Sequence, residues 1–452
     1  MKTIIIGSSH AGLAAMRRIL TRYPKMEITV FDRRSEHLSY IGAGAHMFLN
    51  DEISSPTETE YFFAEDYAAL DVTAHLNTNV MKIDAANKTV HARNLVTGEQ
   101  IVESYDKLIV GTGSYPKIPS ISGIDSDRVS LLKSANDVLG LAEKMTGKKR
   151  VTILGGGMIG LETARVLIRQ GFKVDIVQAR GHLANSYVDA DFAQKIQEYF
   201  EALGVRVYLN EVIERINEND DELEITTQDG ETFLTEHVVV SVGVRPNSSL
   251  LNKIAQIGAK GEIIVDDYMY TSDENILAIG DAVGTFFTPV EQYGQINHAA
   301  AAISQGLLAG ANVMGPLYKN PGSQATYTLN LGDRFLYRTG ATEEEAIAAN
   351  IPADSIRYAT ALLPPFMHDA GFVESKLIFN PQTTEILGLQ LFSDSNLHDV
   401  VDMMSMGVNN KMKLSELAFG DLSFEPHFSL PYSWLSELAL QALDKIEGYS
   451  QK

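Results

Sequence analysis

Short apolar runs that stop at a glycine recur along the first 280 residues of this chain. Lys2-Thr3-Ile4-Ile5-Ile6 breaks at Gly7, and Val151-Thr152-Ile153-Leu154 breaks at Gly155. Each break leads into apolar positions at helical spacing, over residues 11–20 and 161–170. Near-continuous apolar runs of this length predict parallel strands covered on both faces, and the repeated strand, turn and helix predict a duplicated nucleotide-binding unit. Residues 28–31 and 174–177 predict the second strand of each unit, and residues 107–110, 238–242 and 276–279 three strands more. Residues 50–70 turn polar and irregular, as a surface connection would, and Pro116, Pro119 and Gly123 mark a linker. Past Gly322 the glycine turns cease. There, residues 376–379 and 386–391, parted by Asn380-Pro381, predict an antiparallel hairpin. The fold class expected is α/β: two Rossmann-like dinucleotide-binding domains and a C-terminal α+β domain.

The two turns differ in detail. The first reads Gly7-Ser8-Ser9-His10-Ala11-Gly12, with serine at the middle glycine position, still small enough to let a phosphate approach. Asp32, twenty residues past Gly12, ends the second predicted strand, where a carboxylate can accept from both hydroxyls of an adenosine ribose. The second turn, Gly155-Gly156-Gly157-Met158-Ile159-Gly160, keeps all three glycines. Its acid position holds Gln178, with Arg180 two residues on. An acid would repel a 2′-phosphate and this pair would not, unless Arg180 merely faces solvent, so NADH and NADPH both stay open. A third element, residues 276–279 followed by Gly280-Asp281, sets a carboxylate where it can accept from a polyol hydroxyl. In order after two dinucleotide turns, it signals the ribityl chain of FAD.

At 452 residues the chain should hold roughly two to four domains. A net charge of −21 argues against nucleic acid or an anionic membrane surface as partner. No apolar run is long enough to span a bilayer, and the first one ends too soon for a signal peptide, so a cytoplasmic enzyme is expected. There is no cysteine at all. That removes disulfides, thiolate nucleophiles, iron–sulfur clusters and cysteine-based zinc sites in one step, and no metal centre is expected.

Taken in order, these residues resemble the flavin-dependent pyridine nucleotide–disulfide oxidoreductase superfamily, and within it the branch of NADH oxidases, NADH peroxidases and coenzyme A–disulfide reductases. The likeness is carried by His10 inside the first turn, Tyr105-Asp106-Lys107-Leu108-Ile109 leading to Thr112-Gly113-Ser114, Gly243-Val244-Arg245-Pro246-Asn247, and Phe424-Glu425-Pro426-His427-Phe428. It implies an FAD-binding domain from residues 1–115 and 246–322, an NAD(P)H-binding domain from 116–245, and a C-terminal domain, 323–452, that pairs two subunits. By that resemblance Gly7, Ser9, His10, Ala11, Gly12, Asp32, Arg33, Val80, Thr112, Gly113, Gly280, Asp281 and Ala299 line the FAD site. Asp32 would hold the ribose, Val80 the adenine through its backbone, and Asp281 the ribityl chain. Gly155, Gly156, Gly157, Met158, Ile159, Gly160, Gln178, Arg180, Tyr187 and Gly243 would line the NAD(P)H site.

The departure lies at the redox centre, where relatives place serine, aromatic, aliphatic, serine, cysteine, glycine. This chain reads Ser39-Tyr40-Ile41-Gly42-Ala43-Gly44, so the cysteine's place falls on Ala43 with one residue inserted upstream, or on Gly42 without. Both are inert. Met158 also stands where branch members carry a tyrosine that shields the flavin. Hydride transfer from nicotinamide to flavin N5 needs only stacking and orientation, so it survives the loss; disulfide and sulfenate chemistry do not. The expected activity is an FAD-dependent NAD(P)H oxidase that reduces O2 to hydrogen peroxide. The alternatives are a dehydrogenase serving a quinone or other acceptor, and a flavin-binding sensor or assembly protein without turnover. His10 is a candidate proton donor or acceptor, or a ring bonded to a backbone carbonyl. His427 is a candidate for reaching the partner's flavin, or a buried structural histidine.

Overall fold

The computed structural model describes residues 1–36, 38–40 and 44–449. Two five-stranded parallel sheets carry the two glycine turns. In the first, the strands run in the order Ile276–Ala278, Lys107–Val110, Lys2–Ile6, Glu27–Phe31 and Thr73–His75. In the second, the order is Val129–Leu131, His237–Val240, Arg150–Leu154, Lys173–Gln178 and Arg206–Leu209. In both, the strand before the glycine turn is central. Ile4, Ile5, Ile153 and Ile176 are fully buried, as strands covered on both faces require. Each sheet is accompanied by a three-stranded antiparallel sheet, Thr78–Asp84 to Gln100–Ser104 in one case and Ile213–Glu218 to Thr232–Thr235 in the other. The duplication therefore extends beyond the turns.

Helix His10–Arg22 crosses the first sheet and packs on helix Ala299–Asn312 at unusually close range. A Cβ on Gly306 would lie 2.2 Å from the Ala11 carbonyl oxygen, and one on Gly310 would lie 2.5 Å from that of Ala15. The small residues of the second helix are thus what lets the first sit tight behind its glycine turn. The two chain crossings between the sheets are zipped together: Ser114–Pro116 pairs antiparallel with Val244–Pro246.

The C-terminal residues form a five-stranded antiparallel sheet, in which Phe372–Phe379 and Ile386–Ser393 make the expected hairpin. Helices His398–Asn409 and Trp434–Glu447 cover one side, burying Tyr337, Leu377, Leu389 and Trp434. The other side meets the second nucleotide unit through a buried cluster. There the Lys376 ammonium lies 3.1 Å from Asp189, 2.9 Å from Glu343 and 3.4 Å from Asp191.

Two expectations are corrected. Residues 50–70 are not irregular throughout: a 3₁₀ turn at Pro56–Thr59, a strand at Glu60–Phe62 and a helix at Ala64–Ala69 lie there. The strand pairs with Ser39–Tyr40, a long-range contact that local polarity does not reveal. The strand expected over 238–242 ends at Val240, where the Ser241 hydroxyl turns back toward the glycine turn and shares its one proton between the carbonyls of Leu154 and Gly155. Among the described residues, no helix is long and apolar enough to cross a membrane.

Candidate functional site

The first glycine turn is shaped by backbone contact. Gly7 has φ +93°, and a Cβ there would lie 2.3 Å from the Gly111 carbonyl oxygen; one on Gly12 would lie 1.8 Å from that of Gly7. Only glycine fits both places. Ser9 caps helix His10–Arg22 with no side-chain bond, so the N-terminal amides remain available to an anion. Asp32 is 5% exposed and folds back onto the turn. Its Oδ2 accepts from the Ser8 amide (2.9 Å) and the Ser8 hydroxyl (2.7 Å), and its Oδ1 accepts from the Arg34 amide (2.9 Å) and Nε (3.0 Å). Burial alone would raise the Asp32 pKa, but the Arg34 guanidinium and the amides outweigh it and hold the carboxylate ionised. Arg33, the residue singled out from the sequence, is exposed and lies over the Tyr115 ring.

The remaining residues expected at this site converge from three elements. The Asp32 carbonyl accepts from Thr78 at 2.9 Å, which brings in the strand that carries Val80. Thr112 and Gly113 are tied to Asn247, the Thr112 hydroxyl donating to its carbonyl at 2.6 Å and the Asn247 amide to the Gly113 carbonyl at 2.9 Å. Gly280 donates to the Gln305 side chain at 2.8 Å, fixing the turn so that Asp281 accepts from the Ser114 hydroxyl (2.7 Å) and the Lys133 ammonium (3.1 Å). Ala299 opens its helix behind His298, whose Nδ1 accepts from the Ala301 amide at 3.1 Å.

Among the described residues, the His10 ring bonds to no backbone carbonyl. Its Nδ1 meets the Tyr61 hydroxyl, and the two rings stack within 8° of parallel, 5.6 Å apart. Burial lowers the His10 pKa, partly countered by Asp281, so the ring is neutral near pH 7. His427 is not a buried structural residue: its side chain is 71% exposed and lies 2.8 Å from Glu425.

The second turn repeats the first. The Gly155 amide donates to Val177 at 2.9 Å, as the Gly7 amide donates to Phe31 at 2.8 Å. Gly155 has φ +102°, and a Cβ on Gly160 would lie 2.0 Å from the Gly155 carbonyl oxygen. Gln178 takes the structural part that Asp32 plays, its Oε1 accepting from the Gly156 amide at 3.1 Å. Its Nε2 donates to Asn185 at 2.7 Å and to the His182 carbonyl at 3.3 Å. Gly157 caps helix Met158–Arg169 with no side-chain bond. Ile159 and Arg180 are exposed, and Arg180 has no side-chain hydrogen bond or ion pair among the described residues. Tyr187 is half-buried, edge-on to Tyr327 at 5.0 Å. Gly243 has φ +96° and accepts from the Lys117 amide.

Ala43 and Gly42, the two readings of the vacant cysteine position, lie outside the described residues. On one side of them the Ser39 hydroxyl donates to the Ser8 carbonyl at 2.7 Å. On the other, helix Gly44–Leu49 rests on helix Met158–Arg169, with His46 Nε2 3.2 Å from the Thr163 hydroxyl and Nδ1 3.5 Å from Glu162. Sequence reasoning missed Arg34, Tyr61, Lys133, Glu162 and His46. None sits at a diagnostic spacing, although Arg34 and Glu162 lie beside motif residues that were read.

The family model for pyridine nucleotide-disulphide oxidoreductase matches residues 1–306. An NADH oxidase of Enterococcus faecalis is 32% identical over 448 residues, covering 99% of this chain and 100% of that one. The water-forming NADH oxidase from Lactobacillus brevis, solved with NADH, superposes with a TM-score of 0.96 at 33% identity, over 99% of each chain. An engineered water-forming NADPH oxidase made from the same enzyme, solved with NADPH, gives 0.96 at 32% identity, again over 99% of each chain.

Proposed function

This chain belongs to the pyridine nucleotide-disulphide oxidoreductase family, and from that premise we propose that it is an NAD(P)H oxidase that returns oxygen as hydrogen peroxide. It is an NAD(P)H-dependent oxidoreductase, and its cofactor is FAD. The observation that carries the choice of product is the absence of cysteine from a chain similar throughout its length to NADH oxidases. The relative from Lactobacillus brevis is water-forming; without a thiol, this chain has no group to take a second electron pair beyond the flavin.

The Gly7 turn fits FAD, since glycine at 7 and 12 lets the turn close tightly on its own backbone and the helix amides behind it carry no side-chain cap. We assign residues 1–115 and 246–322 to FAD binding, 116–245 to NAD(P)H and 323–452 to subunit pairing. Asp32 is the ribose acceptor, Asp281 anchors the polyol end, and the turn at Gly155 receives the coenzyme's pyrophosphate. When bound there, FAD would supply the hydride-accepting and electron-donating chemistry that the oxidase reaction requires. The chain's part is to hold both nucleotides by their phosphates and riboses, so that their reacting rings meet in a fixed orientation. His10, neutral and oriented by Tyr61, accepts or donates a proton beside them. A homodimer is supported by the exposed apolar side chains of the C-terminal region: Phe419 is 75% exposed, Phe428 83% and Tyr432 78%.

Anaerobic stopped-flow reduction by NADH tests the first half of this reading. Rapid flavin bleaching is expected, and no bleaching with NADH or NADPH would refute it. Admitting air and counting peroxide per coenzyme tests the second half; little oxygen uptake would point to another acceptor.

A further inference from the structure

His46 and Glu162 meet between helix Gly44–Leu49 and helix Met158–Arg169, and neither has a part in binding the two nucleotides as described above. Their hydrogen bonds can be worked out atom by atom. The Thr163 hydroxyl gives its proton to the Ile159 carbonyl at 2.7 Å, so toward His46 Nε2, 3.2 Å away, it can only accept. Nε2 therefore carries a hydrogen. The other ring nitrogen, Nδ1, is buried with no hydrogen-bond partner among the described residues, and Glu162 Oε2 is 3.5 Å from it. A bare nitrogen lone pair facing a carboxylate oxygen at 3.5 Å is repulsive, and a single proton between them makes the contact attractive; the Glu162 side chain, 24% exposed, leaves a way for that proton to arrive from solvent.

We propose that His46 and Glu162 hold one shared proton and deliver it to oxygen during turnover, an inference that rests on the oxidase reading above. The balance of the reaction calls for such a proton. Oxidation of NAD(P)H by O2 passes on a hydride, which supplies two electrons and one hydrogen. Hydrogen peroxide needs a second hydrogen, which must come as a proton, and the pair recovers it from solvent. Position supports the assignment. Glu162 is one helical turn past Met158 on the same helix face, so the pair adjoins the coenzyme turn.

The titration directions agree with this geometry. Burial pushes the Glu162 carboxyl up to about 7 and lowers His46 to about 4, with Arg165 pulling both down, so near neutrality the proton resides on Glu162. The surrounding charges are otherwise committed. Arg165 lies 3.8 Å from Glu52 and Arg169 lies 3.3 Å from it. Tyr187 faces Glu162 as a neutral phenol. On the other elements against the pair, Asp137 caps its own helix, Glu58 accepts from Ser54 and Ser55, and Asp175 is paired with Arg206.

The test uses the holoenzyme. Infrared difference spectra against pH should show a protonated-carboxyl C=O stretch that disappears with a midpoint near pH 7 and is missing from Glu162→Gln. In His46→Gln the amide donates to the carboxylate, so the midpoint should fall. Air reoxidation of the reduced enzyme should follow the same midpoint. It should become pH-independent and roughly 10²-fold slower in Glu162→Gln, the low end for a positioned proton donor. A carboxyl band unchanged in Glu162→Gln, or an unaltered pH profile in that variant, would overturn the pair while leaving the oxidase intact. Failure of air to reoxidise the wild-type enzyme would overturn the oxidase reading, and the delivery role with it.

Discussion

Asp32 and Gln178 occupy the same place in the two nucleotide units, and each accepts a hydrogen bond from the second residue of its glycine turn. Replacing Asp32 by Asn keeps that bond but removes the charge facing Arg34 and the ribose. With hydrogen bonds to charged groups worth about 1.5–3 kcal/mol, FAD binding should weaken by about tenfold or more. Fluorescence titration of apoprotein with FAD checks this. Gln178→Asp should restore a ribose-reading charge and shift the ratio of kcat/KM for NADH over NADPH upward, by about tenfold for one unit of opposing charge beside the 2′-phosphate. Steady-state kinetics with both coenzymes reads it. Asp32 and Gln178 were legible from spacing alone. Arg34, Tyr61 and Lys133 were not, because what gives them a role is folding. Tyr61 reaches His10 after Glu60–Phe62 pairs with Ser39–Tyr40, and Lys133 reaches Asp281 across 148 residues of chain.

Parallel strands buried on both faces announce themselves as unbroken apolar runs, which is why the two nucleotide sheets could be read in advance. The short elements of residues 56–69 could not, since their pairing partner lies outside the local window. Lys376 illustrates a further limit: it stands in an apolar strand, 3% exposed, and only the folded chain brings Asp189, Asp191 and Glu343 to it. These carboxylates outweigh burial and raise the Lys376 pKa, while Lys376 and neighbouring amides hold Asp189 below its ordinary value. Lys376→Met should destabilise the fold by about 3–5 kcal/mol in urea unfolding, because it leaves the buried Asp189 carboxylate without its counter-charge. The sign with pH follows. Asp189 is depressed on folding, so its contribution is present above the ordinary carboxylate pKa and is lost as pH falls through the folded value. The variant should therefore have a flatter acid limb than wild type.

On the scale of the whole molecule, the zipped pair of crossings, Ser114–Pro116 with Val244–Pro246, and the Lys133–Asp281 contact tie the sheet carrying the Gly7 turn to the sheet carrying the Gly155 turn. The chain has no cysteine, and the side chains that meet on the two units are His10 with Tyr61 and His46 with Glu162. On the proposed function, electrons pass straight from flavin to acceptor. The exposed phenylalanines near His427 should be covered in solution, and light scattering is expected to give twice the chain mass; a monomer at working concentration would count against the pairing domain. The most direct test of the central claim is the yield of hydrogen peroxide per NADH oxidised in air-saturated buffer, with catalase-free enzyme. A yield close to one peroxide per NADH is predicted; rapid oxygen uptake with no peroxide, one O2 per two NADH, would contradict it.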